Sequence, residues 1–395
     1  MGLDSRTVAH VLLLFALVAG ALGLARQQAE VEHDAARPGP FAACSRQAQQ
    51  ARESDYTDQA IAVYQKCLRL KPDWDEGWWY LGTLNYDAGH YRESLVAFRR
   101  VVKLRPSMGV AWALLGLSEF EAQDYPAALE HLARGRSLGL TGDEQLAKVA
   151  PYHEALLLVR RGEFEAAGKL FSVLVQQGVR SRDLRTALGL SLLRVPLLPS
   201  QLDPSKDALV DTAGGVGESM ALRNYVQAES GLRQMLADFP QTPFLHYAYG
   251  TLLVRVGRMA EATEEFQKET KITPDSSMPW LRLAYLALTG DRPAEGLETA
   301  QRAVRLSPTS SVAHYVLGRI YLKQRETTSA VSELEMARQL EPLSARVRYS
   351  LSQAYAQAGF KEKAAREQGE FERLNAQPSG NPEPLPDPDD ALEKQ

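Results

Sequence analysis

An all-helical chain built from repeats is predicted by three observations. Proline recurs every 34 residues, at Pro72 and Pro106 and again at Pro240, Pro274, Pro308 and Pro342. Between the prolines, apolar residues recur at the helical period of 3.6. Within each interval Gly or Ala repeats at fixed places, as at Gly82, Gly116, Gly250 and Gly318. Proline cannot continue a helix and restricts the residue before it, so each one marks a helix end.

With each proline at position 32 of a unit, the register is explicit. The window from Asp75 has Trp78 at position 4, Leu81 and Gly82 at 7 and 8, Tyr91 at 17 and Phe98 at 24. The window from Gly109 places Trp112, Leu115, Gly116, Tyr125, Ala128 and Leu132 in matching places, and Ala60, Tyr64 and Cys67 fill positions 20, 24 and 27 of the first unit. The windows from Pro243, Ser277, Ser311 and Ala345 follow the same rule, with Gly250 and Phe266, Trp280 and Ala303, Gly318 and Ala330, and Leu351 and Ala364. Positions 4, 7, 8 and 11 share one helix face, and 20, 24 and 27 share a face of a second helix. Small residues at 8 and 20 let the two backbones approach, and the large residue at 24 fills the remaining space. A helix pair alone leaves apolar surface exposed, so neighbours must stack.

These residues resemble the tetratricopeptide repeat family, with its W-x2-L-G, A-x3-F and terminal Pro signature. The resemblance covers about 41–377, less clearly in the middle. It implies an all-α solenoid, a right-handed superhelix of antiparallel helix pairs. Such a motif specifies a fold far more than a function.

The pattern predicts this organisation: a signal or anchor over 1–25, a linker over 26–40, an N-terminal array over 41–180, a lone helix and Pro-rich connector over 181–208, a C-terminal array over 209–376 and an acidic, Pro-rich tail over 377–395. The last unit of the first array is degenerate, carrying Pro151 in its first helix. Gly214, Gly215 and Gly217 lack the G-x4-G-K-[ST] context of a phosphate loop and read as a weak helix or a break.

Composition narrows the function. The net charge of -4 disfavours nucleic-acid binding, which needs a basic face. The histidines are dispersed, and His153-Glu154 lacks the second His of a zinc helix. His246 and His314 sit at position 4, where they replace a packing Trp. No metal site, cofactor site or nucleophile motif is expected, so the chain is read as non-enzymatic.

Val11 to Leu24 is an apolar run followed by Ala25, the pattern of a secretory signal cut before Arg26. The protein is therefore expected to be exported, periplasmic or secreted, or else held at the inner membrane by residues 8–25. In an oxidising compartment Cys44 and Cys67, at positions 4 and 27 of the first unit, are expected to form a disulfide across the first hairpin. Two buried thiols are the alternative.

The family resemblance also implies a concave face lined by positions 2, 5, 9 and 12 of the first helices. Carried over, these positions give Trp79, Tyr86, Phe120, Phe244, Tyr247, Tyr285, Tyr315, Arg319 and Tyr349 as partner-binding residues, with Met278 and Leu281 in the same rows. Tyr, Trp and Arg dominate interface hot spots. The Lys and Asn of a chaperone-type carboxylate clamp are missing, because Ser45 and Gln49, then Trp79 and Thr83, hold those places. The expected function is an exported scaffold that binds peptide or helix segments of other proteins, in envelope assembly or secretion. The alternative is a non-catalytic accessory subunit of an envelope enzyme complex.

Overall fold

The computed structural model describes residues 39–54 and 56–376, and its described residues form nineteen α-helices and no strand. The apolar run at 8–25, nearly all of the linker and the acidic tail lie outside them. Among the described residues, no helix is long and apolar enough to cross a membrane. The chain divides into two compact units, described here over 39–161 with 169–187, and over 162–168 with 188–376.

The first unit contains α1 (Pro40–Glu53), α2 (Thr57–Leu70), α3 (Asp75–Asp87), α4 (Tyr91–Leu104), α5 (Gly109–Glu121), α6 (Tyr125–Leu138) and α7 (Leu146–Arg161). Helices α8 (Phe164–Gln176) and α9 (Arg182–Leu192) contribute residues to both units. Each odd-numbered helix up to α5 packs on the helix that follows it, and that helix packs on the next pair. Pro151 lies inside α7 without ending it.

The second unit continues with α10 (Asp207–Ala221), α11 (Tyr225–Asp238), α12 (Leu245–Arg255), α13 (Met259–Ile272), α14 (Ser277–Thr289), α15 (Pro293–Leu306), α16 (Ser311–Lys323), α17 (Thr327–Leu340), α18 (Ala345–Gln357) and α19 (Lys361–Asn375). Two single 3-10 turns, Pro199–Gln201 and Pro204–Lys206, precede α10. The triple-Gly stretch is helical within α10. A Cβ at Gly189 would lie 2.0 Å from the carbonyl oxygen of Val210, so the end of α9 packs backbone-close to the start of α10.

Packing inside each pair follows the predicted register. A Cβ added at Gly82, Gly116, Gly250 or Gly318 would strike Phe98, Leu132, Phe266 or Leu334 at 2.7–2.9 Å. Position 8 is therefore small because position 24 fills its space. Ala60, Tyr64 and Cys67 are buried in the first pair, as are Ala284, Ala300, Ala303, Leu317, Ala330 and Ala337 in the later ones. Burial of each large side chain contributes about 1.5–3 kcal/mol.

Two devices recur at the turns. Position 15 ends the first helix with a positive φ in Gly89, Gln123, Gly162, Arg223, Gly257, Asp291, Arg325 and Gly359. The next N–H then reaches back to the helix, as His90 N–H does to Asn85 O at 2.8 Å and Phe360 N–H to Tyr355 O at 2.9 Å, the closing bond of a Schellman motif. At the other end, position 4 donates to the carbonyl of the preceding proline. Trp78 donates to Pro72 at 2.8 Å, Trp112 to Pro106 at 2.9 Å and Trp280 to Pro274 at 3.2 Å. His314 and Arg348 make the same contact with Pro308 and Pro342, at 2.9 Å each. The recurring proline thus supplies an acceptor as well as a helix stop.

Candidate functional site

The candidate site is the row of first-helix residues at positions 2, 5, 9 and 12, taken in each unit separately. In the first unit, Trp79 on α3 is half-buried and meets the Phe98 ring edge-on at 5.9 Å. Tyr86 is only 3% exposed and packs against Tyr91. Phe120 on α5 lies between Tyr125, at 5.6 Å, and His153, at 4.7 Å.

In the second unit, Phe244 and Tyr247 frame the start of α12. Phe244 has a φ of 64°, rare for a bulky residue. The Glu269 carboxylate holds it there, accepting from Phe244 N–H at 2.8 Å and Tyr247 N–H at 3.1 Å. Burial pushes the Glu269 carboxyl above its ordinary range, against the lowering effect of these donors. The guanidinium of Arg194 sits 5.7 Å from the Phe244 ring, 5.0 Å from Tyr247 and 5.4 Å from Phe164, with Glu165 as its ion-pair partner. Arg282, itself buried, donates through Nε to Tyr247 Oη at 3.2 Å. Tyr247 is thus closed in by the chain's own cations.

Further along the second unit, Tyr285 is half-buried and Tyr315 is 3% exposed. Arg319 donates through Nη1 to Tyr315 Oη at 3.1 Å and Ser350 Oγ at 3.4 Å. Among the described residues, no acceptor reaches its buried Nε, and the buried hydroxyl of Thr251, also at position 9, has no hydrogen-bond partner. Tyr349 is the most open member of the row, 41% exposed, with its ring 5.1 Å from Phe371.

The row therefore divides. Tyr86, Tyr247 and Tyr315 are core side chains, so their rings pack between helices and offer almost no surface. Tyr349 is accessible, with Trp79, Phe120, Phe244, Tyr285 and Arg319 partly so. Sequence reading missed Arg194, which lies where the periodicity fails, and Glu269, whose capping role depends on a residue 25 positions away. Cys44 and Cys67 are joined in a disulfide, with a Cα–Cα distance of 5.6 Å. Among the described residues, no group of three or more His, Cys, Asp or Glu could hold a metal ion.

The stacked pairs, the position-15 turns and the small-to-large packing define a helical-hairpin repeat protein. Tetratricopeptide repeat family models match residues 43–73, 81–137 and 315–370, and the chain is a tetratricopeptide repeat protein. Among solved structures, MamA is 19% identical, with a TM-score of 0.39 over 40% of this chain and 94% of that one. MamA of Desulfovibrio magneticus RS-1 is 18% identical, with a TM-score of 0.40 over 42% of this chain and 95% of that one. YrrB, described as a TPR protein with an unusual peptide-binding site, is 19% identical, with a TM-score of 0.39 over 45% and 89%. Likenesses at this level carry no statement about function. No curated protein sequence matches this chain.

Proposed function

We propose that this protein is a non-catalytic, exported scaffold that binds peptide or helix segments of partner proteins along its first-helix face, in envelope assembly or secretion. The observation that carries the reading is Tyr349, whose ring is 41% exposed on the first-helix row and rests 5.1 Å from Phe371. An open aromatic backed by a second ring supplies the apolar anchor that hot spots need. Arg319, partly exposed on the same row, offers a cation to a partner's carbonyl or carboxylate. The Cys44–Cys67 disulfide supports the export part, since such bonds persist in oxidising compartments. The N-terminal apolar run supports it independently.

Tyr315 is core, so replacing it confounds binding with stability. The test is instead the pair Arg319→Gln and Tyr349→Ala, used as bait beside the unaltered protein in capture from the native cell envelope. Loss of the captured polypeptides with unchanged helicity is expected. Full retention of capture would refute the assignment.

A further inference from the structure

The first unit contains a cavity of about 340 Å³ between α2 and α4, with α3 as its floor. Gln65, Leu68 and Arg69 of α2 form one wall, Glu93, Val96 and Ala97 of α4 the other, and Trp78, Leu81 and Asn85 the floor. The floor residues lie about 130° around α3 from Trp79, Thr83 and Tyr86. This is a second face of the helix, separate from the row described above.

The repeat itself explains why space is left here. In three units of the second half, position 23 is a glutamate that reaches position 4 of its own unit. The pairs are Glu265 with His246, Glu333 with His314 and Glu367 with Arg348. In the window from Gly109, the His131 ring lies 5.1 Å from the Trp112 ring. In the window from Asp75, position 23 is Ala97. Ala97 is too short to make the contact with Trp78 that His131 makes with Trp112, and the Arg100 guanidinium lies 6.0 Å from the Trp78 ring centre.

The cavity is apolar but not featureless. Asn85 is 2% exposed and donates through Nδ2 to Leu81 O at 2.7 Å. No donor among the described residues reaches its Oδ1, which remains an acceptor on the floor. Arg69 and Glu93 stand on opposite walls and have no ion-pair partner among the described residues. Val96 at the rim is 58% exposed. The wall from α2 is held to α1 by the Cys44–Cys67 disulfide, which lies on the same helix within a turn of Gln65, Leu68 and Arg69.

An apolar slot with one buried acceptor and opposite charges on its two lips has a defined complement. We propose that this cavity binds an extended peptide that places one aliphatic side chain on Trp78, donates a backbone N–H to Asn85 and flanks that residue with a carboxylate for Arg69 and a cation for Glu93. The volume is at the small end of the range for ligand pockets, which suits one anchoring side chain. The site is independent of the first-helix row, and loss of one leaves the other intact.

The test uses the full chain labelled with ¹⁵N, titrated with the pentapeptides Gly-Lys-Leu-Asp-Gly and Gly-Asp-Leu-Lys-Gly, with Gly-Lys-Gly-Asp-Gly as control. The indole N–H resonance of Trp78 reports the site, and those of Trp112 and Trp280 report folding. The variant Ala97→His restores the side chain that position 23 carries beside Trp112. A saturable Trp78 shift with one leucine peptide is expected, at least about tenfold weaker for the control and for Ala97→His. Absence of a saturable shift up to about 10 mM overturns the proposal, as does equal binding by the variant. Concentration-dependent broadening of Trp78 without peptide would show that a second copy covers the slot, and would overturn it too.

Discussion

The imidazole of His314 bridges Glu333 and Pro308, with Nδ1 2.6 Å from Glu333 Oε2 and Nε2 2.9 Å from the Pro308 carbonyl oxygen. A carboxylate and a carbonyl only accept, so both ring nitrogens donate and the ring is positively charged. Burial opposes that charge, but the bonds to Glu333 and Pro308 outweigh it and raise the His314 pKa above its ordinary 6.5. A raised folded pKa means that the stabilisation is complete below the unfolded value near 6.5 and is lost as pH rises through the folded value. The denaturation midpoint of the second unit is therefore expected to fall across that upper window in the unaltered protein. His314→Ala should remove this pH dependence and cost about 1–3 kcal/mol, because Pro308 and Glu333 lose their donor. Urea titrations at stepped pH check both expectations.

Reducing Cys44–Cys67 should destabilise the first pair without disturbing the second unit. The two cysteines are 23 residues apart, and opening such a loop costs about 3 kcal/mol on the chain-entropy model. Hydrogen exchange in α1 and α2 is expected to accelerate on reduction, with α16 to α19 unchanged. The same preparation tests export. Protein from its native source should begin at Arg26, or retain Met1 if anchored, and in both cases show the disulfide by mass. Free thiols in that material would contradict the export reading.

The helix pairs were legible because proline, glycine and aromatic residues each do one local job per unit. Gly82 and Phe98 exchange volume, and position 15 closes the turn, so spacing alone recovers both helices. The row of first-helix residues was legible by position but not by accessibility. The family resemblance placed Tyr247 on that row and could not show that Arg194, more than 50 residues earlier, would cover it. Tyr349 stays open, 41% exposed and against Phe371. The cavity on α3 was also hidden, since it arises from Ala97 being small where Glu265, Glu333 and Glu367 are long.

Glycine at two places should respond in opposite ways to the same substitution. A Cβ at Gly135 would lie 2.8 Å from the Ala113 nitrogen and 2.9 Å from the Gly109 oxygen, both backbone atoms that cannot swing aside. Gly135→Ala is expected to cost about 1–3 kcal/mol or more by forcing α5 and α6 apart. Gly369 in α19 meets nothing within 4 Å, so Gly369→Ala should stabilise by about 0.4–1 kcal/mol. Chemical denaturation of the two variants checks the sign.

Glu367 anchors the end of the second unit. Its side chain is 3% exposed and accepts from Arg338 at 3.0 Å and Arg348 at 2.7 Å. Glu367→Ala leaves both cations unpaired and is expected to cost about 3–5 kcal/mol, read as early loss of α18 and α19 in native-state hydrogen exchange. Exchange rates no different from the unaltered protein would show that the pairs contribute nothing.

The central claim, that the first-helix row binds partner proteins, is tested most directly by photo-cross-linking from single sites in native cells. Tyr349 carries the photoreactive group, and Leu343, 74% exposed and outside the row, is the control. A discrete polypeptide adduct from position 349, absent from position 343 and lost when Arg319→Gln is added, is the predicted result. No adduct from 349, or the same adducts from both positions, would contradict the claim.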